Sequence, residues 1–236
     1  MHNAMADHND NVFSDEENET CLSRIRDSKE LKGGLQLDLP KMKLMSVPRQ
    51  VLILRKLRVL NLRGNNLSML PTELCECFHD LEYLNLASNR LQYIPENISS
   101  LTKLRTLLVQ NNELVELPDG VGRLPLLLEL RIETNLLEAL PESMGRLSLL
   151  KVLTLSNNRL SVLPGSMVAM RSLESLDVSG NPDLDLDSLP DTLYRLNEMY
   201  ALLHSKQVRT KIINRALAIR PRVRKDLQKD TFGNNF

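Results

Sequence analysis

Aliphatic residues recur in a fixed figure along the middle of the chain. Two inward candidates one residue apart are followed, three positions on, by asparagine: Leu60, Leu62 and Asn65; Leu84, Leu86 and Asn89; Leu107, Val109 and Asn112; Leu130, Ile132 and Asn135; Leu153, Leu155 and Asn158; Leu176, Val178 and Asn181. The asparagines are spaced 24, 23, 23, 23 and 23 residues apart. An earlier copy, Leu37 and Leu39, carries Met42 where the asparagine would fall, 23 residues before Asn65. Each unit continues in register. A leucine stands two residues after the asparagine (Leu67, Leu91, Leu114, Leu137, Leu160), and three further on an apolar residue precedes proline (Leu70, Ile94, Leu117, Leu140, Leu163). The first copy repeats this ending with Val47 and Pro48. A leucine-rich helical bundle would instead need apolar residues at i, i+3, i+4 and i+7, and a proline in every unit interrupts that pattern.

The spacing predicts the local structure. Alternating leucines place both side chains on one side of a short strand and send the residues between them to the other. Successive units then pair as parallel strands, and seven of them make a sheet roughly 30 Å across. An asparagine carries donors and an acceptor. Buried where the chain leaves the strand, it is expected to satisfy backbone groups of its own unit and the next. Met42 does this poorly, but the first unit has no preceding unit to serve. The proline starts a return arm, anchored inward by Ile98, Leu101, Val121, Leu124, Met144, Leu147, Met167 and Met170. After Asn181 the figure breaks and Leu189-Pro190 arrives late. Residues 190–219 read as helix, with Leu193, Leu196, Tyr200 and Leu203 on one stripe and Val208, Ile212, Ala216 and Ile219 on a second. The expected organisation is an acidic tail over 1–30, a repeat domain over 31–190, a helical C-terminal cap over 191–219 and a basic tail over 220–236.

The unit resembles the leucine-rich repeat, in the 23-residue form of the Ras-group intracellular proteins: the Ras suppressor protein and the Shoc2- and Erbin-type scaffolds. The resemblance covers residues 35–190. It implies an α/β solenoid, a horseshoe of about seven units with a parallel β-sheet on the concave face. It further implies intracellular scaffolding, with a folded protein as partner: a Ras-family GTPase or one of its effectors.

The outward strand positions are then the candidate binding face. One column holds Val59, Tyr83, Thr106, Glu129, Val152 and Ser175; the next holds Asn61, Asn85, Leu108, Arg131, Thr154 and Asp177; the third holds Arg63, Ala87, Gln110, Glu133, Ser156 and Ser179. Tyr83 and Leu108 put apolar bulk on a wet face, and Glu129, Arg131 and Glu133 gather charge on one strand. Tyrosine and arginine are favoured binding anchors. The expected protein-binding set is Arg63, Tyr83, Leu108, Gln110, Glu129, Arg131, Glu133, Thr154 and Asp177, with Asn65, Asn89, Asn112, Asn135, Asn158 and Asn181 as the structural ladder.

Composition changes this picture little. Aromatics are 3% and tryptophan is absent, so the core is aliphatic. Thirty basic residues balance thirty acidic ones, which gives nucleic acid no global attraction. The ends are nevertheless opposite: residues 1–20 hold six acids and no Lys or Arg, whereas 204–236 hold nine Lys or Arg against Asp226 and Asp230. Contact with nucleic acid or an anionic membrane would run through that basic segment alone, and a structural subunit anchored by it is the alternative to a scaffold. Cys21, Cys75 and Cys77 do not suit a secreted disulfide framework, and the N-terminus lacks the pattern of a signal peptide. A cytoplasmic or nuclear location is expected. Cys75, Cys77 and His79 are too few for a closed metal shell. Asp183, Asp185 and Asp187 lack the glycine and glutamate of a calcium loop. No motif for phosphate binding, nucleophilic catalysis or metal hydrolysis occurs. The expected protein is non-catalytic, without cofactor or small-molecule substrate, and monomeric.

Overall fold

A computed structural model describes residues 29–31 and 34–185, together with Ser23 and Arg24. The expected acidic tail over 1–30, apart from Ser23, Arg24, Lys29 and Glu30, lies outside the described residues, as do Asp187, the helical cap and the basic tail. The described chain forms one sheet of eight strands in sequence order. These are β1 (Lys29–Leu31), β2 (Gly34–Asp38), β3 (Leu57–Asn61), β4 (Tyr83–Asn85), β5 (Thr106–Leu108), β6 (Glu129–Arg131), β7 (Val152–Thr154) and β8 (Ser175–Asp177). From β2 to β8 all pairs are parallel and the equivalent residues of each unit face one another, as in Leu84, Leu107, Leu130, Leu153 and Leu176. The repeat pattern does not announce β1. It pairs antiparallel with β2 and covers an edge that would otherwise expose unpaired backbone groups.

The leucines and their apolar equivalents fill a single continuous core between the sheet and the return arms. Leu60, Leu62, Leu84, Leu86, Leu107, Val109, Leu130, Ile132, Leu153 and Leu155 are all sealed from solvent. The arm anchors Ile98, Leu101, Val121, Leu124, Met144, Leu147, Met167 and Met170 meet them from the opposite side. Prolines open most of the arms, for example Pro95 at φ −67° and Pro141 at φ −69°. That angle is the one the ring imposes, and no backbone donor is lost at a turn's first position. The arms are short 3-10 turns in the 23-residue units: Glu96–Ser100, Val121–Arg123, Glu142–Arg146 and Gly165–Ala169. Two arms are α-helical, α1 (Arg49–Leu52) and α2 (Thr72–Cys77). The longer α2 lies in the 24-residue unit and takes up its extra residue. Cys75 and Phe78 complete the core there.

The asparagine ladder is built as its spacing suggests, with one correction. Each asparagine serves its own unit and the preceding one, not the next. Asn112 is typical. Its Nδ2 donates to Val109 O at 2.9 Å in its own unit and to Leu86 O at 3.0 Å in the unit before. Its Oδ1 accepts from Leu91 N at 3.0 Å, again in the unit before. The direction follows from the parallel ladder. Backbone N–H groups at this turn point towards the following unit, as Leu86 N does towards Leu108 O. Their acceptor must therefore come from that following unit. Asn65 in the same way accepts from Met42 N and Leu44 N. Met42, at the start of the array, has no earlier parallel unit to serve and packs its side chain against the core.

A left-handed residue precedes every ladder asparagine: Gly64, Ser88, Asn111, Thr134, Asn157 and Gly180, with φ between 54° and 72°. Glycine and asparagine accept this region readily, whereas a β-branched side chain does not. Thr134→Asn is therefore expected to stabilise the protein by about 1 kcal/mol. The check is the urea midpoint at unchanged slope; a fall in midpoint would show that the Thr134 side chain contributes more than its strained backbone costs.

Candidate functional site

The outward face of the sheet is set by the same alternation that buries the leucines. Along β3 to β8, side chains between the inward leucines stand in register across neighbouring strands and are half-buried, except Asn85, which is buried. Leu108 lies opposite Asn85 on one side and Arg131 on the other, and Arg131 lies opposite Thr154. Tyr83 lies opposite Thr106, and so diagonal to Leu108, within reach of a long side chain. Tyr83, Leu108, Gln110, Glu129, Arg131 and Glu133 are thus gathered on β4, β5, β6 and their C-terminal turns. Thr154 adjoins them on β7. Arg63 after β3 and Asp177 on β8 stand apart from this group, nearer the two ends of the face.

Most of these groups are held by a neighbour. Asn85 is buried; its Nδ2 donates to the Tyr83 hydroxyl at 3.3 Å and its Oδ1 accepts from Ala87 N at 3.0 Å. That fixes the tyrosine ring against the strand. Asn61 and Asp177 make the same backbone turn, accepting from Arg63 N at 3.1 Å and Ser179 N at 3.0 Å. Arg131 Nε donates to Glu129 Oε1 at 2.5 Å on the same strand. This hydrogen bond raises the guanidinium's affinity for its proton, and the charges of Glu129 and Glu133 add to it. The Thr154 hydroxyl donates to the Glu133 carboxylate across β6 and β7. Gln110 Oε1 is shielded and finds no donor among the described residues. The centre of the face therefore combines an apolar pair with a pre-positioned arginine.

One charged column escaped the reading of the binding face. At the residue before each outward strand position stand Arg58, Glu82, Arg105, Leu128, Lys151 and Glu174. Glu82 is bridged by Arg58 and lies 3.9 Å from Arg105, and Lys151 meets Glu174 at 2.8 Å. The signal was present as opposite charges in neighbouring units at the repeat spacing, interrupted at Leu128. At this exposure each pair is worth about 0.2–1 kcal/mol, so the column aids register more than stability.

The C-x-C-x-H run does not converge. Cys75 points into the core, where burial pushes its thiol up to about 12; Cys77 is half-buried and His79 is exposed. Among the described residues no group of three His, Cys, Asp or Glu side chains is placed to hold a metal ion.

Comparison with known proteins agrees with this geometry. The family model described as "Leucine rich repeat" matches residues 55–114 and 125–182. A mouse (Mus musculus) protein, leucine-rich repeat and IQ domain-containing protein 4, is 40% identical over 57 residues, which is 24% of this chain and 10% of that protein. Among solved structures, the leucine-rich-repeat domain of the type III effector XopL is 28% identical at a TM-score of 0.64, covering 75% of this chain and 63% of that one. A TDR receptor is 28% identical at 0.56, covering 64% of this chain and 26% of the receptor. A leucine-rich-repeat protein of Leptospira interrogans is 32% identical at 0.50, covering 66% and 45%. The chain spans less than two thirds of the length of each of these relatives.

Proposed function

The chain belongs to the leucine-rich-repeat family, whose domains typically bind proteins, and from that premise we propose that it is a non-catalytic scaffold that holds a folded protein partner on its concave sheet face. The observation that carries this reading is the grouping of Tyr83, Leu108 and Arg131 on adjacent, register-locked strands. A tyrosine and an arginine beside an apolar side chain are the usual composition of an interface centre. Their hydrogen bonds to Asn85 and Glu129 restrict them before binding, so little conformational entropy remains to be lost. The 23-residue form of the unit favours a Ras-family GTPase or one of its effectors as partner, with the protein acting as a cytoplasmic monomer.

The test is a cross-linking pull-down from cytosol, comparing wild type with Tyr83→Ala/Arg131→Glu and with a chain ending at residue 204. The double variant is expected to weaken capture of the main partner about thirtyfold or more, since two central anchors each contribute roughly 1–2 kcal/mol. The shortened chain keeps the partner. If the shortened chain alone loses it, the basic segment is the binding element and the solenoid is a spacer.

A further inference from the structure

The two edges of the sheet carry their charges differently. Where the strands begin, opposite signs meet in neighbouring units: Glu82 is bridged by Arg58, and Lys151 meets Glu174 at 2.8 Å. Those charges offset one another. Where the strands end, the signs are segregated. The stretches after β2, β3 and β4 (residues 40–46, 63–69 and 87–93) hold Lys41, Lys43, Arg63 and Arg90 and no acid. The stretches after β5 and β6 (residues 110–116 and 133–139) hold Glu113, Glu116, Glu133 and Glu138 and no base. All of these are exposed except Glu133, which is half-buried. Backbone bonds hold the stretches side by side: Lys41 N donates to Arg63 O, Gly64 N to Ala87 O, Ser88 N to Gln110 O and Asn111 N to Glu133 O. The sign changes within single columns of the repeat. Arg90 and Glu113 are equivalent residues of adjacent units, and Arg63 and Glu133 share another column. Lys41, Arg63, Arg90, Glu113, Glu116 and Glu138 form no ion pair among the described residues.

We propose that this edge is a docking site for an extended segment of a protein partner in which an acidic block adjoins a basic block. Charge complementarity sets the signs, and the spacing of units sets the length. At roughly 4.8 Å per unit the basic block of the edge is about 14 Å wide and the acidic block about 10 Å. Each exceeds the screening length of about 8 Å at physiological ionic strength, so neither block cancels the field of the other. Their centres lie about 12 Å apart, which an extended chain covers in about four residues. Some four acidic residues beside four basic ones therefore match the edge. A segment of one sign alone is attracted by one block and repelled by the other. The arrangement also solves a problem of register. A partner on a repeating array meets nearly the same backbone once per unit and can slip by one. The single reversal of sign between β4 and β5 marks one position, in the way that charges fix register at other interfaces. The edge borders the concave face, and its docking function does not depend on the reading of that face.

Two synthetic peptides of identical composition test the proposal on the full chain. One has four glutamates followed by four lysines; the other alternates glutamate and lysine over the same length. Both are neutral, so only the order of charges distinguishes them. Fluorescence anisotropy at low ionic strength is expected to show the block peptide binding about tenfold more tightly than the alternating one. A photo-reactive group on the glutamate end is expected to give adducts within 40–46, 63–69 or 87–93, and one on the lysine end within 110–116 or 133–139. Lys41→Glu/Arg90→Glu leaves the basic block without net charge, and Glu113→Lys/Glu138→Lys does the same to the acidic block. All four positions are exposed, and each pair is expected to abolish the preference for the block peptide. Equal binding of the two peptides to wild type overturns the proposal. So do adducts that fall elsewhere on the chain, or a preference that survives either pair of substitutions. The concave-face reading is untouched by these results, because its own test changes Tyr83 and Arg131, which belong to neither block.

Discussion

Asn112→Ala is expected to lower the unfolding free energy by about 2–4 kcal/mol, from one buried N–H left without its acceptor and a side chain's worth of lost packing. Asn112 is 9% exposed, and Leu91 N donates to its Oδ1. The two carbonyls it serves are less vulnerable. Leu86 O also accepts from Asn89, and Val109 O also accepts from Asn135. The orphaned group is therefore the Leu91 N–H, which belongs to the neighbouring unit. A single substitution thus loosens two units, and in a stacked array the interface between neighbours carries much of the stability. Urea unfolding measures the loss; an unfolding free energy within about 0.5 kcal/mol of wild type would show that water replaces the side chain without penalty. Asn112→Asp separates the two halves of the interaction. It keeps an acceptor for Leu91 N but removes the donors and buries a negative charge. Burial beside two carbonyls raises the pKa of the introduced carboxyl in the folded state. Its neutral form is then the better tolerated, so the variant loses stability as pH rises through that folded-state pKa and recovers it on acidification. A variant whose deficit stays the same across that range would sink this account. Met42→Asn, by contrast, gains little, because no earlier parallel unit presents N–H groups to it.

Gly122→Ala is expected to cost about 2–3 kcal/mol for a steric reason. A Cβ at residue 122 would stand 2.3 Å from Ser143 O and 2.4 Å from Ser143 C, both backbone atoms of the next return arm. Gly145 meets Ser166 O in the same way at 2.3 Å. Backbone cannot rotate aside as a side chain can, so the arms must separate and the core between them opens. Gly165→Ala is the internal control. Nothing lies within 4 Å of a Cβ there, and its substitution is expected to be neutral or to stabilise by up to about 1 kcal/mol, through the unfolded chain alone. Thermal unfolding of the two variants side by side decides the matter. Equal effects would mean that the tight packing of the arms is not what makes glycine necessary at 122.

Much of the architecture was legible because its determinants lie within one unit. The alternation of Leu107 and Val109 says which side chains face inward without reference to any other unit, and the proline of each repeat says where the return arm begins. The core residues were readable for the same reason: the arm anchors from Ile98 to Met170 are all buried. The candidate face was legible as a set of outward positions, but not as a site. Column reading placed Tyr83 and Leu108 in different rows. Only the register of β4 against β5 shows them diagonal to each other, with Arg131 on the far side of Leu108. The same limit hid the internal pairing of Arg131 with Glu129, which offsets one positive and one negative charge, and the hydrogen bond from Thr154 that holds the still-charged Glu133.

The sequence by itself determined the repeat length, the identity of the inward residues, the parallel order of the strands and the need for a buried asparagine at each turn. Each of these follows from periodicity, which the chain carries locally. Tertiary structure alone decided which neighbour each asparagine serves, how closely the return arms approach at Gly122 and Gly145, and the antiparallel strand that covers the first edge. Those properties depend on how one unit sits on the next. That geometry is set by the direction of N–H groups in the parallel ladder and by the space between stacked arms, and neither is written in the spacing of residues within a unit.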